Sequence, residues 1–273
     1  MIYRAHRIDI ITRATEYLVI FLTDSLSRSL ETIRIARAAS ALSFAGSAIS
    51  GVLFQQAIDF FLQKQRPDGG WSDTEETAWA IGCISLLQGQ EDPAVQSAIH
   101  WLNNVRLSTG GWGRHPRDQA RIPITALIAS LVPAAFKSED LNWLQNEWAR
   151  DFSGPVRLSY KAGFYLLAMP KDQEDELVAQ TIAHLAQDQN DDGGFAPWKG
   201  HPIGSDPWST GVVLWGLSRW VDQVDHAVLE KALNWLQETQ LPSGYWPYHY
   251  LDDGTSLALI GGVAALKSLK ARE

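Results

Sequence analysis

The chain has 273 residues, 45% of them hydrophobic, with 23 Lys and Arg against 31 Asp and Glu, for a formal net charge of −8. That length and apolar share suit a globular protein with a sizeable core, and the acidic balance argues against a nucleic-acid partner. The single cysteine excludes an internal disulfide framework and fits a reducing, cytoplasmic compartment.

Arg4, Arg7, Asp9 and Arg13 interrupt the N-terminus before any apolar run develops, so no secretory signal is expected. A first helical pair is expected from "ATEYLVIFL" and "LETIRIARAASAL". The longest uncharged stretch, "AASALSFAGSAISGVLF" from Ala38, is short for a membrane span and rich in Ala, Ser and Gly. It reads as a buried helix and a turn. Peripheral membrane contact is compatible with this sequence, as is a homodimer; a spanning helix is not expected.

From Phe60 onward one pattern recurs: aromatic or His, apolar, three residues, Gln, three residues, Gly, one residue, aromatic. It fits "FFLQKQRPDGGW" (60–71), "WLNNVRLSTGGW" (101–112, with Arg106 at the Gln position), "HLAQDQNDDGGF" (184–195) and "WLQETQLPSGYW" (235–246). The wide gap between the second and third copies holds a worn one, "WLQNEW", at Trp143–Trp148. Amphipathic helices such as "AVQSAIHWLNNV" and "AVLEKALNWLQET" lead into these turns. More uniformly apolar segments follow: "TAWAIGCISLL", "ITALIASLVPAAF", "SYKAGFYLLAM", "STGVVLWGLSRW" and "TSLALIGGVAALKSL". A helix apolar on nearly all sides is buried, so each repeat pairs an outer helix with an inner one. With the N-terminal pair, about six hairpins result. An open array would expose its end faces. The expected fold is therefore all-α: one closed α/α barrel, a single domain over 1–273.

Asp73-Thr74-Glu75-Glu76 opens the first of the apolar helices. Ser72-x-x-Glu75 and Asp73-x-x-Glu76 both have the form of a capping box, which is the plainer reading. Carboxylates crowded into one dry site can instead raise a pKa by several units. Aligning the inner helices on Thr77, Thr210 and Thr255 places Glu75, Trp208 and Asp253 two positions earlier, with Trp79 and Trp215 on the faces below. Acids at a rim above indole groups suit the generation and shielding of a cation. Plain core is the competing reading of each tryptophan. Asp252-Asp253 follows "YWPYHY", so His249 could lie near a second carboxylate pair, against a plainer reading as a polar hairpin-like turn. The basic loop "RHPRDQAR" (114–121) offers Arg117 as a diphosphate contact, or is simply solvated.

The recurring turns resemble the glutamine–tryptophan repeats of squalene–hopene cyclases and related class II terpene cyclases, over most of the chain from about Phe54 onward. In that family an Asp-x-Asp-Asp-Thr-Ala run opens an inner helix, and its middle Asp protonates an alkene or epoxide. The corresponding run here is Asp73-Thr74-Glu75-Glu76-Thr77-Ala78, with Glu at two of the three carboxylate positions. The resemblance implies Glu75 as general acid, Asp73 and Glu76 as its hydrogen-bonded partners, and Trp79, Trp208 and Trp215 as cation-stabilising wall. It implies a linear isoprenoid or prenylated substrate and no cofactor. Protein prenyltransferase β subunits, related in fold, bind zinc through Asp-x-Cys and His. Cys83 lies inside an apolar helix with no His in phase, so no metal is expected. The alternative reading is a non-catalytic barrel that binds a lipid or peptide, or a subunit of a larger complex.

Overall fold

Two kinds of helix alternate along the chain in the computed structural model, which describes residues 2–46, 51–171 and 175–271. The first kind comprises α1 (Ile2–Arg28), α3 (Gly51–Lys64), α5 (Pro93–Val105), α7 (Ser138–Phe152), α9 (Glu176–Asp188) and α11 (His226–Thr239). The second comprises α2 (Thr32–Ala45), α4 (Thr74–Gln88), α6 (Ile122–Leu131), α8 (Ser159–Ala168), α10 (Pro207–Ser218) and α12 (Leu251–Lys270). No strand occurs among the described residues. The difference in kind follows from the side chains. α5 buries only one stripe, Val95, Ala98, Ile99, Trp101 and Leu102, whereas α10 buries every residue except Trp208.

The recurring turn has a repeated hydrogen-bond frame. The indole Nε1 donates back to a carbonyl in the preceding helix: Trp71 to Phe61 O at 3.1 Å, Trp112 to Leu102 O at 2.8 Å and Trp246 to Leu236 O at 2.8 Å. The backbone N–H of the same aromatic position donates to a threonine of the buried helix that follows: Thr77, Thr125, Thr210 or Thr255. Thus the threonines aligned by sequence do hold equivalent places, and Thr125 joins them. The Gln side chain joins its own turn to the next amphipathic helix. Gln65 Nε2 donates to Gly69 O and Ala94 O, Gln189 to Gly193 O and Val228 O, and Gln240 to Gly244 O and Ile10 O. Where Arg106 replaces Gln, Asp140 of α7 takes over, accepting from Arg106 Nη1 at 3.4 Å and from Gly111 N at 2.8 Å. Gly110 (φ 92°) shows why the turn requires glycine: a Cβ would stand 2.6 Å from Glu139 O and its φ disfavours other residues.

The residues pack into two compact units, Met1–Val19 with Ala149–Glu273 and Ile20–Trp148. Within the second, α4 packs on both α2 and α6. Within the first, α10 packs on both α8 and α12, and glycines let these backbones touch. A Cβ on Gly211 would meet Leu257 O, one on Gly216 would meet Gly163 O, and one on Gly261 would meet Gly211 O.

Two sequence expectations change in detail, and a third is met in part. "ITALIASLVPAAF" is not one helix. α6 stops at Leu131 and a 3-10 turn covers Pro133–Ala135, because Pro133 disfavours helical backbone at Val132. Asp252 and Asp253 form no hairpin-like turn; they lie in the first turn of α12, where the helix dipole favours acidic groups. The turn expected within "AASALSFAGSAISGVLF" begins at Gly46, a left-handed C-cap of α2 (φ 66°). Its remainder falls on 47–50, outside the described residues.

Candidate active site

Asp73 is the N-cap of α4, in extended backbone (φ −146°, ψ 178°), and its Oδ1 accepts from Glu76 N at 2.8 Å. Glu76 Oε1 in turn accepts from Ser72 N at 3.2 Å. The capping reading of this pair is therefore realised. Two further bonds fix the helix start. Thr77 Oγ1 donates to Asp73 O at 2.7 Å, and Thr74 N donates to the Arg114 carbonyl at 2.9 Å. That last contact seats the basic 114–121 loop against the acidic run.

Glu75 takes no part in capping. Its Oε1 lies 2.6 Å from Arg37 Nη2, reaching across to α2, and its Oε2 lies 3.9 Å from Arg114 Nε. Arg114 Nε also holds Asp73 Oδ2 at 3.0 Å. The Glu75 and Arg37 side chains are only 17% and 13% exposed, whereas Arg114 is 48% exposed. Asp73 and Glu76 are buried. Burial pushes the Glu76 carboxyl above the usual carboxylate range, and the negative charge of Asp73 adds to this. Hydrogen bonds from Ser72 and the Ile33 backbone oppose it.

The other expected residues are distributed as follows. Trp79 is buried on α4, in the same unit as the acidic run, and Arg117 is exposed on the 114–121 loop. In the other unit, Trp208 is half-buried at the start of α10, its ring 5.5 Å from Tyr160 and 5.9 Å from Phe164. Trp215 and Asp252 are buried, and Asp253 is half-buried. His249 is exposed, with its ring 5.0 Å from that of Tyr248. The starts of α10 and α12 meet, since a Cβ on Gly254 would lie 3.1 Å from Pro207 Cγ.

Sequence reasoning missed two features. Arg37 is the second of two arginines in α2, after Arg34, and a cation directly before the small apolar run from Ala38 was the available signal. Asp206, the N-cap of α10, lies four residues before Thr210 as Asp73 does before Thr77. Its Oδ1 accepts from Ser209 N at 2.8 Å, while its Oδ2 is buried with no hydrogen-bond partner among the described residues. Burial raises this carboxyl too, against hydrogen bonds from Ser209 and Trp208 and the His201 charge.

Both raised carboxyls hold protons more tightly folded than unfolded. The folded state therefore binds more protons, and stability falls as pH rises from the ordinary carboxylate range through the raised values. The double variant Glu76→Gln/Asp206→Asn is expected to flatten that fall relative to wild type, as read from denaturant melts at stepped pH. An unchanged slope would contradict the burial argument.

The chain matches the family model "Squalene-hopene cyclase C-terminal domain" over residues 90–252, a segment that starts after the acidic run. It is 25% identical over 165 residues to a squalene–hopene cyclase of Zymomonas mobilis, covering 58% of this chain and 21% of the relative. It is 25% identical over 213 residues to a drimenyl diphosphate synthase of Streptomyces showdoensis, covering 68% of this chain and 40% of the relative. The chain thus spans well under half the length of these curated relatives. Among solved structures, it resembles the type II terpene cyclase MstE from Scytonema in complex with geranylgeranyl dihydroxybenzoate, its substrate. The TM-score is 0.73 at 16% identity, covering 98% of this chain and 100% of that one. A protein from Actinoplanes gives the same TM-score at 15% identity, covering 95% and 99%. At such identities the likeness shows the fold, which is the all-α terpenoid-cyclase class expected from sequence. No helix among the described residues is long and apolar enough to cross a membrane.

Proposed function

Because the chain belongs to the squalene–hopene cyclase C-terminal domain family, we propose that it is a metal-independent class II cyclase acting on a linear isoprenoid or prenylated substrate. The observation that carries this reading is the acidic run at the start of α4. It gathers Asp73, Glu75 and Glu76 at the head of a buried apolar helix, with burial keeping one carboxyl's proton affinity high. A carboxylic acid of that kind can transfer its proton to an alkene. The O–H and π bonds break, a C–H bond forms, and the cation falls on the more substituted carbon. Attack by a second alkene closes a ring, and loss of a proton gives an isomer of the substrate. Support for the substrate class comes from MstE, bound to geranylgeranyl dihydroxybenzoate, and from the drimenyl diphosphate synthase.

In this reading Trp79, Trp208 and Trp215 stabilise the cation. Asp253 is a further catalytic acid, Asp252 and His249 contact the substrate, and Arg117 serves as a contact for a diphosphate. Trp79→Leu and Trp215→Leu keep an apolar, helix-compatible side chain but lose the ring quadrupole, worth roughly 0.5–2 kcal/mol to a nearby cation. Product ratios are therefore expected to shift by up to about thirtyfold with a smaller change in substrate consumption, measured by product profiling. Loss of thermal stability and activity together, with the profile unchanged, would make both rings plain core.

The direct test is incubation with geranylgeranyl dihydroxybenzoate and with linear prenyl diphosphates. A product of unchanged mass with fewer alkene signals supports the reading; recovery of every substrate unchanged by folded protein overturns it. The 2.6 Å pairing of Arg37 with Glu75 favours the second reading, a non-catalytic lipid binder, which would return a bound ligand unchanged.

A further inference from the structure

We propose that Glu76, and not Glu75, is the proton donor of this site, and that Arg37 and Arg114 are positioning residues that compensate the charges of Glu75 and Asp73 beside it. The inference rests on the protonation-initiated reading above and deepens it.

The geometry divides the three carboxylates into two groups. Glu75 is in contact with the Arg37 guanidinium, and Asp73 with that of Arg114. Glu76 has no cation within ion-pair distance among the described residues; its carboxyl accepts hydrogen bonds from Ser72, whose amide lies 3.2 Å from Oε1, and from the Ile33 backbone. Two guanidinium charges therefore face three carboxyl groups. The largely buried cluster is neutral when one proton remains on it, and isolated charge is costly to bury. Placing that proton on Glu75 would weaken its 2.6 Å contact with Arg37. Placing it on Asp73 would weaken both the Arg114 contact and the cap on Glu76 N. Glu76 can hold it without breaking an ion pair, and the direction of its shift agrees.

The step balances. The Glu76 O–H bond breaks, the proton forms a C–H bond with the substrate alkene, and Glu76 is left as carboxylate. The cluster then carries one net negative charge, which attracts the new carbocation. Solvent returns the proton after product leaves.

The test reads the proton directly. Protein labelled with carbon-13 at the glutamate δ-carboxyl leaves Asp206 silent, and the glutamate resonances are followed against pH in wild type, Glu76→Gln and Glu75→Gln. The resonance that titrates at the highest pH is expected to vanish in Glu76→Gln and persist in Glu75→Gln. Turnover of geranylgeranyl dihydroxybenzoate should fall roughly 10²–10⁴-fold in Glu76→Gln. Should Gln at 76 disturb the helix start, Glu76→Asp keeps an acid and is likewise expected to remove that resonance, because the aspartate carries no label, while retaining more turnover than Glu76→Gln. Loss of the resonance in Glu75→Gln with its retention in Glu76→Gln overturns the assignment, as does a chain in which no glutamate titrates above the others. Because the titration needs no turnover, this assignment can fail while the cyclase reading stands, and the reverse.

Discussion

Arg37→Met is expected to lower the unfolding free energy by about 3–5 kcal/mol, the usual consequence of removing one partner of a buried ion pair. The two side chains are mostly shielded from water, at 13% and 17% exposed. Met occupies a similar length but leaves the Glu75 charge without its near partner. Arg114, at 3.9 Å and half exposed, compensates it weakly, since exposed pairs contribute at most about 1 kcal/mol. Adding Glu75→Gln should restore much of the loss, because replacing a whole buried pair by neutral groups is often close to neutral. Denaturant melts of wild type, the two single variants and the double variant provide the cycle. A loss below about 1 kcal/mol in Arg37→Met would mean that the pair behaves as a solvated one.

Gly261→Ala should also be strongly destabilising, and its neighbour supplies the control. The added Cβ would run into Gly211 O, so α10 and α12 would have to separate along their contact. Overpacking of this kind costs about 1–3 kcal/mol and occasionally more. Here the obstacle is backbone and cannot rotate away, so the upper end applies. Alanine's better helix propensity returns only about 1 kcal/mol, which leaves a net loss of about 2 kcal/mol. At Gly262 the nearest atom is Leu236 Cδ1 at 3.7 Å, an ordinary contact. Gly262→Ala should therefore be neutral or stabilising by up to about 1 kcal/mol. Equal melts for the two variants would contradict the close helix approach.

The alternation of amphipathic and buried helices was legible because it rests on local spacing. Side-chain periodicity marked the stripe on α5, and uniform apolarity marked α10. The Gly-rich turns were legible for the same reason: glutamine, glycine, aromatic and threonine lie within a short window, and the bonds of Gln65, Trp71 and Thr77 join residues close in sequence. The end of α6 was missed although Pro133 announced it, because the apolar run continues through the break.

The site was less legible. Asp73 and Glu76 could be read as caps or as acids, and the structure shows them capping while burial raises the proton affinity of Glu76. What settles the neighbourhood of Glu75 is Arg37, 38 residues earlier, and no local pattern reports a pairing at that range. Asp206 was hidden differently. It shares Asp73's place before the helix threonine, but the Glu-Glu that drew notice to the first site is Trp208-Ser209 at the second.

The account's central claim is that a solvent-derived proton starts a ring closure. It is tested most directly by turning over geranylgeranyl dihydroxybenzoate in deuterium oxide and locating deuterium in the product. The account predicts a cyclised isomer carrying one non-exchangeable deuterium on a carbon of the former terminal alkene. Cyclised product without deuterium at that carbon would contradict protonation as the initiating step.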